Sequence, residues 1–198
     1  YLCSMQKIGL FFGSYNPIHN GHLILANHFV EHTDIDQVWL VITPKSPFKQ
    51  KQSMLSNHHR LELVYRATQE YPKLRPSDIE FGLPTPNFTA DSLIYLEKKY
   101  PDKKFALLMG EDNLAHFHKW KNHEVILERY ALYVYPRKEA NPIPAHFQNH
   151  PKITIVEAPE MQVSSSAIRK WIKEGKNIRP LLPPESWAYL DEMNFYKK

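Results

Sequence analysis

Four short runs of unbroken apolar residues, separated by segments of helical period, constrain this chain more than any other feature. They are residues 7–13 (KIGLFFG), 37–43 (QVWLVIT), 104–110 (KFALLMG) and 130–135 (YALYVY), rich in β-branched or aromatic side chains. A strand with one wet face alternates apolar and polar residues, so continuous apolarity marks strands covered on both faces. Between the runs, residues 21–32, 57–71, 89–100 and 122–129 carry helical spacing. In the second of these, Leu61, Val64, Tyr65 and Thr68 are expected on the buried face, with Arg60, Glu62, Arg66 and Glu70 elsewhere. Strands alternating with helices build βαβ units, so the expected fold class is α/β: a single doubly wound domain with a mainly parallel sheet. Residues 74–78 and 152–157 are shorter extended candidates, and 165–174 and 186–193 read as late helices.

Composition narrows the function classes. The chain has 198 residues, 42% of them hydrophobic, which is enough apolar mass for a core. Twenty-five Lys and Arg against 21 Asp and Glu leave a formal charge of +4, a mild excess that favours anionic small molecules and does not call for a nucleic acid polymer. Cys3 is the only cysteine, so an internal disulfide is excluded and a cytoplasmic setting is expected. No apolar run approaches the roughly 20 residues of a membrane span, and no membrane association is expected. Residues 1–4 read as an N-terminal extension ahead of Met5, leaving 5–198 as the domain. Sixteen prolines against six glycines stiffen the loops. Residues 44–52, 81–88 and 136–151 each follow an expected strand, where the loops of an open parallel sheet wall the ligand crevice.

The most informative of these connections is Gly13-Ser14-Tyr15-Asn16-Pro17-Ile18-His19-Asn20-Gly21-His22, between the first expected strand and helix. Its spacing is neither GxGxxG nor GxxxxGK[ST], yet its content is that of a phosphate site. Gly13 ends the strand where backbone can approach a ligand. Pro17 stiffens the turn, and the helix start offers N–H groups and a favourable dipole to anions. His19 and His22, at i and i+3, would share a helix face and stabilise charge developing on a phosphate. The same pair could be half of a metal site, but the segment supplies no Cys, Asp or Glu to complete one, and no protein-held metal is expected.

A second segment, Val163-Ser164-Ser165-Ser166-Ala167-Ile168-Arg169, places N-cap residues ahead of a helix and an arginine one turn in. Ser164 and Ser166 can donate to polyphosphate oxygens, and the planar fork of Arg169 matches phosphate geometry. Seen alone, it could equally be an ordinary capped helix with a surface arginine.

Together the two segments resemble the GxFxPxHxGH and (I/V)SS(T/S)xIR motifs of the nucleotidyltransferase superfamily. Three more resemble elements of the bacterial-type nicotinate-mononucleotide adenylyltransferase family: Pro86–Leu93 (PNFTADSL), Gly110–Leu114 (GEDNL) with Phe117 and Trp120, and Leu181–Tyr196 (LLPPESWAYLDEMNFY). The resemblance spans nearly the whole chain from Lys7. It implies a Rossmann-like fold and transfer of the adenylyl group of ATP to nicotinate mononucleotide, with pyrophosphate leaving.

On this resemblance His19, His22 and Arg169 are the expected catalytic groups. Gly13, Ser14, Gly110, Asp112, Ser164 and Ser166 join them at ATP, with Asp112 accepting from the adenosine ribose. Lys49, Thr89 and Trp120 are expected at the mononucleotide, Trp120 by stacking on the pyridine ring and Thr89 through backbone donors. Taken without the resemblance, Trp120 reads as core and Asp112 as a helix cap. Mg2+ is expected as cofactor, bound mainly through the ATP phosphates. Asn16 stands where the family usually carries Asp, and Phe48-Lys49 replaces a frequent His-Lys pair. Three other readings remain open: an adenylyl- or cytidylyltransferase for another acceptor, including nicotinamide mononucleotide; a metallophosphohydrolase; and a non-catalytic nucleotide sensor. A homo-oligomer is also left open.

Overall fold

The computed structural model describes residues 5–45, 54–138 and 141–197. Its six strands are β1 (Gln6–Gly13), β2 (Gln37–Ile42), β3 (Leu74–Ser77), β4 (Lys103–Gly110), β5 (Ala131–Tyr135) and β6 (Ile153–Ile155). They form one sheet in the order β3-β2-β1-β4-β5-β6, with every pairing parallel. The continuous apolar runs have the physical cause inferred from them, because alternate side chains of each central strand enter different cores. On β1, Phe11 lies between Leu40 and Leu108 in one core, while Leu10 lies between Trp39 and Leu107 in the other.

Among the described residues, eight α-helices cover the two faces. They are α1 (Asn20–His32), α2 (Asn57–Thr68), α3 (Thr89–Lys99), α4 (Glu111–Ala115), α5 (His123–Arg129), α6 (Ala145–Gln148), α7 (Ser165–Lys173) and α8 (Pro184–Glu192). The core holding Phe11 receives Phe29 of α1, Leu63 of α2, Ile168 of α7 and Leu190 of α8. The opposite core receives Leu93 of α3, Leu114 of α4, Ile126 of α5 and Phe147 of α6. The sheet is therefore doubly wound. No helix among the described residues is long and apolar enough to cross a membrane.

Two sequence expectations need correction. The stretch 136–151 is not all loop, because α6 forms a single turn in it and seats the buried Phe147. The buried stripe of α2 is Arg60, Leu63, Val64, Ala67 and Thr68, whereas Tyr65 is 51% exposed. The stripe follows helical period with an arginine inside it, a residue type almost never fully buried unless it is paired. Arg60 is paired, with oxygen acceptors at Leu55, Ser14, Thr43 and Asn57.

Candidate active site

The strand order reverses between β1 and β4, whose connections leave the sheet in opposite directions, and crevices at such points take ligands in open α/β sheets. Here the crevice is a cavity of about 710 Å³, within the usual range for a small-molecule site. Its walls come from the β1–α1 loop, the ends of β4 and β5, the connection before α3 and the start of α7.

The β1–α1 loop supplies Gly13, Ser14, Asn16, His19 and His22. His19 is the N-cap of α1 and not a member of the helix, which starts at Asn20. Its ring nonetheless stacks on that of His22, with centroids 3.7 Å apart. His22 Nδ1 accepts the backbone N–H of His19 at 3.2 Å, which in the neutral ring puts the proton on Nε2, a donor. His19 is 5% exposed, and its Nδ1 is buried without a hydrogen-bond partner. Burial, with repulsion from Arg137 second, holds its pKa down at about 4, so the imidazole is neutral at pH 7. A Cβ on Gly21 would stand 3.0 Å from His19 Nδ1, so only glycine at this position leaves the ring where it is.

The second motif docks against this loop. Ser164 caps α7 by accepting from Ala167 N–H at 3.2 Å. Ser165 Oγ donates to the carbonyl of Pro17 at 2.8 Å, and Arg169 Nη1 donates to the carbonyl of Asn16 at 2.8 Å. Ser164, Ser166 and Arg169 share the cavity wall with both histidines. The first and last motifs thus meet at one crevice.

Past β4, Asp112 lines the cavity in the first turn of α4, and Arg137, just past β5, faces it with Nε 3.8 Å from Asp112 Oδ1. Gly110 does not line the cavity. It is the N-cap of α4, and a Cβ there would overlap Asp112 Oδ1, so any side chain would displace that carboxylate. Arg137 was not singled out from the sequence. The signal was available, since it directly follows the strand run YALYVY-P at the sheet edge where ligands bind. Its Nε, like His19 Nδ1, is buried without a hydrogen-bond partner, the Asp112 carboxylate being too far for one, the state expected of a group that a ligand completes.

The cavity wall also carries the aromatic side chains Phe88 and Trp120. Trp120 is half-buried with its ring 5.4 Å from that of Phe117, and Thr89 begins α3. Phe88 is the N-cap of α3, with Lys121 Nζ 4.8 Å from the centre of its ring. Glu80 also lines the cavity at 1% exposure, and Ser92 Oγ donates to its Oε1 at 2.5 Å. Burial raises the Glu80 pKa above the ordinary carboxylate value. Lys49 lies outside the described residues. Among the described residues, no group of three or more His, Cys, Asp or Glu side chains is placed to hold a metal ion.

A doubly wound sheet with a histidine loop and a capped serine-arginine helix at its switch point defines a nucleotide-transfer architecture, and the comparisons agree. The chain belongs to the cytidylyltransferase-like family, whose profile matches residues 10–171. A curated relative from Christiangramia forsetii, "Probable nicotinate-nucleotide adenylyltransferase", is 57% identical over 192 residues, covering 97% of this chain and 99% of the relative. One of the same name from Flavobacterium johnsoniae is 55% identical over 193 residues, covering 98% and 100%. Among solved structures, the Plasmodium falciparum nicotinic acid mononucleotide adenylyltransferase complexed with NaAD superposes with a TM-score of 0.80 at 20% identity, covering 97% of this chain and 98% of that one. At that identity the likeness is one of fold.

Proposed function

We infer that this chain transfers the adenylyl group of ATP to nicotinate mononucleotide, giving nicotinate adenine dinucleotide and pyrophosphate. The observation that carries this reading is the junction of the two motifs, with Arg169 on Asn16 and Ser165 on Pro17, beside a cavity that Phe88 and Trp120 also line. The near-full-length identity to curated relatives of that name supports the choice of acceptor.

In the reaction, a phosphate oxygen of the mononucleotide attacks the α-phosphorus of ATP in line, and the bond from that phosphorus to pyrophosphate breaks. The nucleophile is already an anion, so no covalent enzyme intermediate is needed. Rate comes from alignment and from neutralising charge. His22 would donate from Nε2 to the α-phosphate, and His19, neutral at pH 7, would act as a polar partner rather than a cation. The start of α7, with Ser164, Ser166 and Arg169, would hold the β- and γ-phosphates, a use for which helix N-termini are suited. Asp112 would accept from the adenosine ribose. Trp120 would stack on the pyridine ring, and the backbone at Thr89 would bond its carboxylate. The donor set is hydroxyl, imidazole, guanidinium and backbone N–H, which fits Mg2+ carried on the phosphates instead of in a protein cage. When bound there, the ion neutralises charge on the departing pyrophosphate.

The test is pyrophosphate release from ATP with nicotinate mononucleotide and with nicotinamide mononucleotide, run in parallel. Faster release with the nicotinate form is expected. Phosphate release without either acceptor would overturn the reading.

A further inference from the structure

The C-terminal segment reaches the histidine loop at one point. Beyond α8 the chain turns through Asn194, and Tyr196 is 8% exposed in the core shared by α1, α2 and α7. Its hydroxyl donates to Asn16 Oδ1 at 2.5 Å. The same oxygen accepts Leu55 N–H at 3.1 Å, and Asn16 itself is 4% exposed. Asn16 is therefore held on its side chain by the tail and by the segment before α2, and on its carbonyl by Arg169. Neighbouring loop carbonyls are tied in the same way, Ser14 by Arg60 and Pro17 by Ser165. Each tie comes from a different part of the chain.

We propose that Tyr196 is a positioning residue for the transfer reaction, acting through Asn16 to fix the loop that carries His19 and the carbonyl that Arg169 grips. This rests on the function inferred above. It also gives the amide at position 16 a physical reason. Burial keeps the phenol protonated, although Arg169 and Arg60 both pull against that shift, so Tyr196 is a donor and needs only an acceptor opposite. A carboxamide oxygen provides that acceptor without charge. A carboxylate in its place would put a negative charge on the residue whose carbonyl Arg169 grips and offset the positive charge of that guanidinium. Asn16 keeps the tether and leaves that charge for the phosphates.

A second tyrosine of the same C-terminal region is a matched control. Tyr189 of α8 also spends its hydroxyl on a partly buried partner, His59 Nδ1 at 2.8 Å, but that contact does not touch the loop. The experiment compares Tyr196→Phe, Asn16→Ala, their combination and Tyr189→Phe by hydrogen exchange of the 13–22 segment and by steady-state pyrophosphate release. In Tyr196→Phe, exchange of 13–22 should quicken and kcat fall about tenfold, the size of one net hydrogen bond, while the mononucleotide KM stays within about twofold. Asn16→Ala removes the same tether together with the Leu55 contact, so it should lose at least as much, and the double variant should lose no more than Asn16→Ala alone because the tyrosine's tie is already gone. Tyr189→Phe should match the wild type in both measurements. Should Tyr196→Phe fail to fold, Asn16→Ala against Tyr189→Phe makes the same comparison. Unchanged exchange and kcat in Tyr196→Phe, or equal losses in Tyr189→Phe, would overturn the proposal. If the wild type released no pyrophosphate, the functional reading would fail, and hydrogen exchange alone would still decide the tether.

Discussion

Arg169 places Nη1 2.8 Å from the carbonyl oxygen of Asn16 and Nη2 3.3 Å from Ser166 Oγ, so one planar fork spans the two motif segments. A lysine keeps the charge but makes a single-point contact and cannot reproduce the fork. Arg169→Lys should therefore lower kcat/KM for ATP by on the order of tenfold, and Arg169→Ala by on the order of 10²-fold to 10³-fold. Pyrophosphate release with ATP varied at saturating mononucleotide measures both. Wild-type kcat/KM in a folded Arg169→Lys protein would show that charge alone suffices.

The strands were legible because burial on both faces writes itself into local composition, and β1, β2, β4 and β5 fall within a residue or so of the four apolar runs. The two motifs were legible because each carries its chemistry in a short window. Arg60 and Tyr196 were not. Their environments come from partners far along the chain, Ser14 and Thr43 for one and Asn16 for the other, and no local period announces them. Arg60 in particular looked like a solvent residue, since its charge is tolerated inside only by carbonyls that converge once the sheet has formed. At Gly110, read for ligand contact, the structure adds a steric reason for glycine that the sequence does not announce, the Asp112 carboxylate lying where a Cβ would stand.

His19 should make stability depend on acid. Its pKa is about 4 when folded, against 6.5 for the free side chain, because burial strips water from the cation and Arg137 repels it. Between those values the unfolded chain binds a proton that the folded chain refuses. The contribution is thus full above about pH 6.5 and is lost as pH falls toward 4. His19→Gln cannot titrate, so between pH 7 and 4.5 it should lose roughly 2 kcal/mol less stability than the wild type. Urea unfolding at the two pH values gives the difference. Parallel losses in both proteins would mean that His19 is not the group responsible.

Trp120 is half-buried, with Phe117 behind it and the cavity before it. Truncating a stacking indole commonly costs 1–3 kcal/mol of binding per ring. Trp120→Ala should raise the mononucleotide KM by about tenfold or more and leave the ATP KM within about twofold. Initial rates with each substrate varied in turn separate the two. A rise confined to ATP would place the adenine, not the pyridine, on this ring.

Arg60 and Arg66 lie on the same helix but should respond to substitution to very different degrees. Arg66 pairs with Glu62 at 2.6 Å on the surface, one turn apart, where such pairs are worth only about 0.3–0.5 kcal/mol. Arg60 is fully buried and donates to three backbone carbonyls and to Asn57 Oδ1, all neutral acceptors. Arg60→Met fills much of the volume but strands those carbonyls without donors, each at about 1–3 kcal/mol. Arg60→Met should therefore destabilise the protein by at least about 3 kcal/mol and Arg66→Ala by less than about 0.5 kcal/mol, read from urea midpoints at constant m-value. Because Ser14 is one of the stranded groups, the surviving folded Arg60→Met protein should also turn over more slowly well below its melting temperature. Full turnover there would mean that the loop holds its shape without the guanidinium.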